Sequence, residues 1–286
     1  MDIAKYRVTN GKDFVLADYA TRDKGPYKDR DDALEDQLAN TQTIAEEQDK
    51  MYAQDHWGVI VLIQAMDAAG KDGLIKHVLS GVNPQGTQVF SFKQPSVEEL
   101  DHDFLWRVNK RLPERGRIGI FNRSYYEDVL IVKVHNLIAS SQLPGELITE
   151  DIWDQRYRQI RDYERYLAEN GFVLIKFFLN VSKDEQKERF LSRIDEKAKN
   201  WKFSTADVRE RGFWDNYMDA YEKAIQNTAT EQNPWYILPA DRKWYARTLA
   251  SEIIAQRMKA LGNEYPQVSE EKLAELEIAR QQLMNE

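Results

Sequence analysis

The sequence predicts an α/β fold, a mainly parallel sheet of about five strands with helices on both faces. Apolar runs of strand length alternate with segments of helical periodicity and length. Two of those segments open on the Ser-x-x-Glu spacing of a capping box, and the most apolar run ends on a small-residue turn that contains glycine.

Taken in chain order, residues 1–50 read as an arm and helix packed on the core: KGPYKDRDDALEDQLANTQTIAEEQDK is polar and turn-rich before it becomes helix-like. A core domain follows over 51–265. Its first strand is GVIVLIQA, residues 58–65, a continuous apolar run suited to a strand covered on both faces. Further strands are expected over Thr87 to Phe92, Arg117 to Phe121, Phe172 to Leu179 and Trp235 to Leu238. Ser96 with Glu99, and Ser182 with Glu185, mark helix starts, because each pair can satisfy free backbone N–H groups reciprocally. Strand–helix alternation then implies right-handed crossovers. Residues 266–286 read as a C-terminal helix, exposed or oligomer-forming, with Leu273, Leu276, Ile278 and Leu283 at roughly helical intervals.

Composition excludes several chemistries. The chain has no cysteine, so disulfides, thiolate nucleophiles and Cys-bound metal centres are ruled out, and a reducing, cytoplasmic setting fits. Its longest apolar stretch, Trp57 to Met66, is too short to span a bilayer. The four histidines, His56, His77, His102 and His135, contain no i, i+4 pair, so zinc is not suggested. A net charge of −8 argues against a nucleic-acid coat protein, so any polyanion must find a local basic site. Two clusters qualify: Arg107, Lys110, Arg111, Arg115, Arg117 and Arg123, and Lys183, Lys187, Arg189, Arg193, Lys197, Lys199 and Lys202, with a solvated helix face as the plain alternative for each. Phe213, Trp214, Tyr217 and Tyr221 have helical spacing and read as core.

The sharpest motif is Ala65-Met66-Asp67-Ala68-Ala69-Gly70-Lys71-Asp72-Gly73, directly after the strongest strand and before a helical segment, Leu74 to Leu79. A phosphate loop needs small residues so that backbone N–H groups converge on oxygens, a helix N-terminus that favours anions, and a lysine. Ala68, Ala69, Gly70 and Lys71 meet those needs. The match to G-x-x-x-x-G-K-[ST] is incomplete: Ala65 replaces the first glycine and Asp72 the magnesium-binding hydroxyl residue, while Asp67 offers a carboxylate of the kind Mg²⁺ prefers. A second strand leads into Asn122-Arg123-Ser124-Tyr125-Tyr126-Glu127-Asp128. Ligands collect at the carboxyl ends of strands in such sheets, so Asn122 and Arg123 are expected at the same crevice. From a helix starting near Ser124, Asp128 could return to share a metal with Asp67 while Arg123 stabilises a transferring phosphoryl group. The alternative for Asp128 is charge compensation at the helix start.

QAMDAAGKDGLIKHV, FNRSYYEDVLIVKVH, FFLNVSKDEQKERFLSRI and WYILPADRKWYARTLASEII, in this order and spacing, resemble the polyphosphate kinase 2 family over about residues 15–260. The resemblance implies a P-loop kinase-like three-layer α/β/α sandwich with a helical lid, over about 129–150 here, and transfer of phosphoryl groups between inorganic polyphosphate and nucleotides with Mg²⁺ or Mn²⁺. Asp67, Lys71 and Asp128 match the family's motif acids and lysine, with Asp67 and Asp128 as metal ligands. Asn122 and Arg123 match its phosphate-contacting pair, although many members outside class III carry Asp at the place of Asn122. The Glu127-Asp128 pair resembles class III, which accepts nucleoside mono- and diphosphates. Phosphate contacts are expected from residues 68–73, that is Ala68, Ala69, Gly70, Lys71, Asp72 and Gly73, and from Asn122, Arg123, Lys133, Arg189 and Arg193. Arg189 and Arg193 share a helix face, or else pair with Glu185 and Glu188 as a solvated surface. A homodimer or homotetramer is implied, and the rival activities are an ATP-dependent nucleotide kinase and a non-catalytic nucleotide-binding regulator.

Overall fold

The computed structural model describes residues 1–286. Six strands form one sheet: β1 (Arg7–Val8), β2 (Gly58–Ala65), β3 (Thr87–Ser91), β4 (Ile118–Asn122), β5 (Phe172–Asn180) and β6 (Trp235–Pro239), in the order β1-β6-β5-β2-β4-β3. All neighbours run parallel except β1, which pairs antiparallel with β6. The five expected strands are present to within a residue at most ends. β1 has only two residues, too few to show a period, and so adds a strand the sequence pattern did not announce.

β2 lies at the centre, and every one of its eight residues is buried, which is why it reads as an unbroken apolar run. Helices cover both faces. α1 (Leu34–Gln54) packs on α10 (Lys243–Lys259), and α10 also meets α2 (Lys71–Val78). Between β3 and β4 lie two single turns, α3 (Val97–Leu100) and α4 (Trp106–Asn109). After β4 come a 3-10 turn at Tyr125–Val129, a short α5 (Ile131–Val134) and then α6 (Ile152–Glu169). β5 leads into α7 (Lys183–Asp195), α8 (Thr205–Glu210) and α9 (Trp214–Thr228). The last helix, α11 (Glu270–Met284), is exposed throughout, with Leu273, Leu276, Ile278 and Leu283 facing solvent.

The Ser96–Glu99 capping box closes in both directions. At Ser182 only half of it does: Glu185 N–H donates to Ser182 Oγ, but the Glu185 carboxylate turns to Arg189, and Asp241 takes the Ser182 N–H instead. The N-terminal arm is tied into the sheet. Besides the β1 pairing, Asn180 donates to Tyr19 O, Asp241 N–H donates to Thr21 O, and the Tyr6 and Tyr245 hydroxyls meet at 2.6 Å.

A fully buried ion pair braces the region behind the β4 turn. Lys176 Nζ on β5 donates to Glu164 Oε2 on α6 at 2.6 Å, while the Tyr125 and Tyr126 hydroxyls donate to Glu164 Oε1 at 2.8 and 2.7 Å. Both oxygens of this desolvated carboxylate thereby accept hydrogen bonds, three in all, the condition under which a buried charge is tolerated. The network fixes the 3-10 turn that follows Arg123.

Candidate active site

Two turns at the carboxyl ends of β2 and β4 meet, and both contain a non-glycine residue in the left-handed region: Ala68 at φ 62° and Arg123 at φ 64°. Such residues persist only where surrounding bonds fix them. Around Ala68 those bonds come from α7. Gln186 Nε2 donates to Asp67 O at 2.9 Å, and Arg189 Nη1 donates to Ala68 O and Ala69 O at 3.0 and 2.6 Å. Gly70 follows at φ 115° and opens α2, so Lys71 stands on the first helical position.

Lys71 is folded back onto its own loop. Its Nζ donates to Ala65 O at 2.9 Å and to Met66 O at 3.3 Å, and it lies 3.9 Å from Asp67. Burial, reinforced by the Arg123 charge and opposed by Asp67, Glu127 and Asp72, brings its pKa down to about 8. Asp67 shows the reverse balance. Burial raises its carboxyl, but Lys71, Arg123 and Arg193 outweigh burial and hold it below the usual range.

Arg123 stands between two acids, donating to Asp67 Oδ1 at 2.5 Å and to Glu127 Oε2 at 3.3 Å. Burial works against its charge, yet Glu127 and Asp67 more than offset that and keep the guanidinium protonated. Glu127 is held from behind by Gln64, a wholly buried polar residue of β2. With its amide turned so that nitrogen faces the carboxylate, Gln64 donates to Glu127 Oε1 at 3.0 Å and accepts from Ser124. Asn122 Nδ2 donates to Asp72 Oδ1 at 2.9 Å, linking the two turns, and its buried Oδ1 has no partner.

These groups line a small cavity with Asp207 and Glu210 of α8, Tyr217 and Tyr221 of α9, and Leu130 and Ile131 after the 3-10 turn. Its volume of about 50 Å³ fits an ion and waters, so a nucleotide has to displace part of the roof. A larger hollow beneath the N-terminal arm, lined by Tyr6, Phe14, Tyr19 and Asp23, offers phosphate no free cation, because Lys5 is already paired with Asp23.

Asp67, Lys71 and Arg123 are therefore brought together as the sequence predicts, and Asp128 is not among them. Asp128 Oδ2 lies 2.7 Å from Arg156 Nε of α6, an ion pair out of line for a hydrogen bond, and Arg156 rests over Phe104. Burial raises the Asp128 carboxyl, with Arg156 opposing. Glu127 reaches Arg123 instead: it lies on the 3-10 turn Tyr125–Val129, which follows the left-handed backbone of Arg123, and both side chains line the cavity. Arg189 is likewise not presented to phosphate. Its Nε donates to Glu185, and Nη2 to Ala240 O and Asp241 O at 2.6 and 3.2 Å, so together with the loop carbonyls all five donors are used. Arg193 stays closer to the site, 3.6 Å from Asp207. Lys133 lies against Tyr157, 3.3 Å from its hydroxyl, and is not among the residues lining the cavity.

Of the first basic cluster only Arg123 reaches the crevice. Arg115 and Arg117 sit at the amino end of β4, bonded to His56 O and Gln85 O, and Arg107 is bound to Lys93 O. The residues that sequence reasoning missed are Asp207, Glu210 and Gln186. Nothing local marks them, but Tyr217 and Tyr221, read as core, are both buried and cavity-lining.

No group of three or more His, Asp or Glu side chains encloses a metal position. Mg²⁺ does not need one, since it keeps waters and substrate phosphate oxygens and takes one or two carboxylates. Asp67 and Glu127 supply two, with the Arg123 guanidinium as the cation between them. The donor set fits, and the two carboxylates that meet at Arg123 are Asp67 and Glu127.

A family model described as polyphosphate kinase 2 (PPK2) matches residues 27–266. The ADP-polyphosphate phosphotransferase of Rhodopseudomonas palustris is 50% identical over 282 residues, 98% of each chain. The AMP/ADP-polyphosphate phosphotransferase of Meiothermus ruber is 42% identical over 264 residues, 92% of this chain and 95% of its own. The crystal structure of polyphosphate kinase 2 from Arthrobacter aurescens TC1 superposes with a TM-score of 0.88 at 37% identity, covering 97% of this chain and 95% of that one.

Proposed function

This chain belongs to the polyphosphate kinase 2 family, and from that premise we propose in-line transfer of a terminal phosphoryl group from inorganic polyphosphate to a nucleoside mono- or diphosphate. The activity is that of a polyphosphate-dependent nucleotide phosphotransferase. AMP, ADP, GMP and GDP are the acceptors of this reading, supported by relatives named for ADP, for AMP/ADP and for GDP.

The observation that carries it is the convergence of Lys71, Arg123 and the small-residue loop on a cavity whose acids are Asp67 and Glu127. Phosphoryl transfer asks for alignment and charge neutralisation more than for covalent chemistry. Lys71 leaves the Ala65 and Met66 carbonyls to hold the transferring group, and the N–H groups opening α2 bind its oxygens. Arg123, released from Asp67, offsets charge on the oxygens as the bond shifts. Asp67 and Glu127 would hold Mg²⁺ or Mn²⁺, which would neutralise phosphate oxygens. Tyr217 and Tyr221 exclude water that would otherwise take the phosphoryl group.

Assembly as a homodimer or homotetramer and a cytoplasmic location belong to the same reading. The apolar side chains exposed on α11 support the first and the absence of cysteine the second. No helix is long and apolar enough to cross a membrane. The test is to supply purified protein with Mg²⁺, ADP and polyphosphate and to measure ATP. Product that forms only with a nucleoside triphosphate as donor would instead make the chain an ATP-dependent kinase, and no transfer in a single turnover would leave a nucleotide-binding regulator.

A further inference from the structure

Part of the cavity roof is α8, whose Asp207 and Glu210 line it, and a 3-10 turn at Arg211–Phe213 joins α8 to α9. Glu210 accepts from the Tyr217 hydroxyl at 2.7 Å and lies 2.9 Å from His135 Nε2. The next residue, Arg211, turns to α7 instead. Its Nη1 donates to Lys183 O at 2.9 Å and to Gln186 Oε1 at 2.7 Å. Gln186 is 1% exposed and spends the other end of its amide on the phosphate loop, donating from Nε2 to Asp67 O at 2.9 Å. A carbonyl can only accept and a guanidinium can only donate, so these two neighbours fix which way the amide points. One side chain thereby joins the roof to the loop.

Arg189, one turn further along α7, also holds the loop, but its donors all go to Glu185 and to backbone carbonyls at the ends of β2 and β6. Of these two α7 side chains, only Gln186 runs on to the roof. The consequence falls on Asp67. Its carbonyl lies in the plane of the peptide that leads into left-handed Ala68, so holding that carbonyl fixes the direction in which the Asp67 side chain leaves the backbone. The same side chain carries the carboxylate that meets Arg123 and Lys71. A cavity of about 50 Å³ admits a nucleotide only when part of the roof shifts, and Arg211 belongs to the segment that connects α8 to α9.

We propose that Gln186 is a positioning residue through which the seat of the α8–α9 junction, felt at Arg211, sets the aim of the Asp67 carboxylate. This role rests on the phosphoryl-transfer reading above and adds how the roof is coupled to an acid that reading uses.

The experiment is a double-mutant cycle of Gln186→Met and Arg211→Met in the full chain, read by steady-state kinetics with ADP and polyphosphate and by amide hydrogen exchange without metal or nucleotide. Gln186→Met keeps the length of the side chain and removes both bonds. Its kcat should fall about tenfold, the size of one well-placed hydrogen bond, with the KM for ADP little changed. Arg211→Met, at a half-buried position with no hydrogen bond to the loop, should lower kcat about threefold, the weaker end of the same range. The double variant should match Gln186→Met alone, because Arg211 acts through it. Exchange at residues 68–70 should quicken in Arg211→Met as well as in Gln186→Met. Gln186→Glu keeps an acceptor for Arg211 but sets a second acceptor against the Asp67 carbonyl, and should be as impaired as Gln186→Met. Wild-type kcat in Gln186→Met, losses that multiply in the double variant, or wild-type loop exchange in Arg211→Met would each overturn the coupling. If Gln186→Met does not fold, kcat and loop exchange in Arg211→Met decide. A wild-type protein that transfers nothing from polyphosphate refutes the donor reading instead, and loop exchange in Arg211→Met still decides the role of Gln186.

Discussion

Replacing Arg189 with Met should loosen the phosphate loop from behind without touching a substrate contact. Arg189 is 6% exposed and spends four N–H groups on the carbonyls of Ala68, Ala69, Ala240 and Asp241. Hydrogen bonds to a charged donor contribute about 1.5–3 kcal/mol each, so the gross loss is roughly 6–12 kcal/mol. Removing the buried guanidinium recovers several kcal/mol of desolvation, and water can reach some of the freed carbonyls. The net cost should be about 3–5 kcal/mol, as for other broken buried charge networks. In a chain of this size that lowers Tm by roughly 5–8 °C. Thermal melting gives the number, and hydrogen exchange at residues 68–73 localises it: those amides should lose protection before the sheet does. Arg189→Lys, which keeps the charge but cannot span both pairs of carbonyls, should recover little. If Arg189→Met melts within a degree or two of wild type with unchanged exchange in the loop, the clamp is not what holds Ala68 in its left-handed conformation.

Three further outcomes follow from the same contacts. With its pKa near 8, Lys71 is charged below that pH and loses its proton as pH rises through it, so metal-free tripolyphosphate binding should weaken above about pH 8 and Lys71→Arg should flatten the profile. The linked stability runs the other way: between about 8 and the ordinary lysine value the unfolded chain holds more protons, so the Lys71 contribution to folding stability rises with pH. Glu164→Gln strands Lys176 in the core and should cost about 3–5 kcal/mol, whereas pairing it with Lys176→Met should restore most of that; denaturant melts of the four proteins of the cycle test it. Ala68→Gly removes a Cβ from the left-handed region and should change stability by no more than about 1 kcal/mol, the strain relieved being offset by a freer unfolded chain, which the same melts measure.

The parts of this fold legible in the sequence are those whose signal is local. β2 announces itself because both its faces are covered, and Ser96 with Glu99 because a capping box is complete within four residues. Lys71 and Asp67 were findable from the turn that carries them. Arg189 and Asp128 have partners the sequence did not show, for one shared reason: those partners lie far along the chain. Arg189 meets carbonyls more than fifty residues away on either side, and Asp128 is taken by Arg156. Helical spacing alone could not show that the Arg189 donors were spent. Which of Glu127 and Asp128 faces Arg123 depends on the path of the chain through the left-handed Arg123 and the 3-10 turn after it, which no residue type there encodes.

The pairing of Asp67 with Glu127 is tested most directly by Mn²⁺ binding, followed by electron paramagnetic resonance with ADP present, in wild type and in Asp67→Asn, Glu127→Gln and Asp128→Asn. Bound Mn²⁺ should fall sharply in the first two variants and stay near wild type in the third. Loss in Asp128→Asn with retention in Glu127→Gln would contradict the account and return the metal to the residue the sequence pattern first suggested.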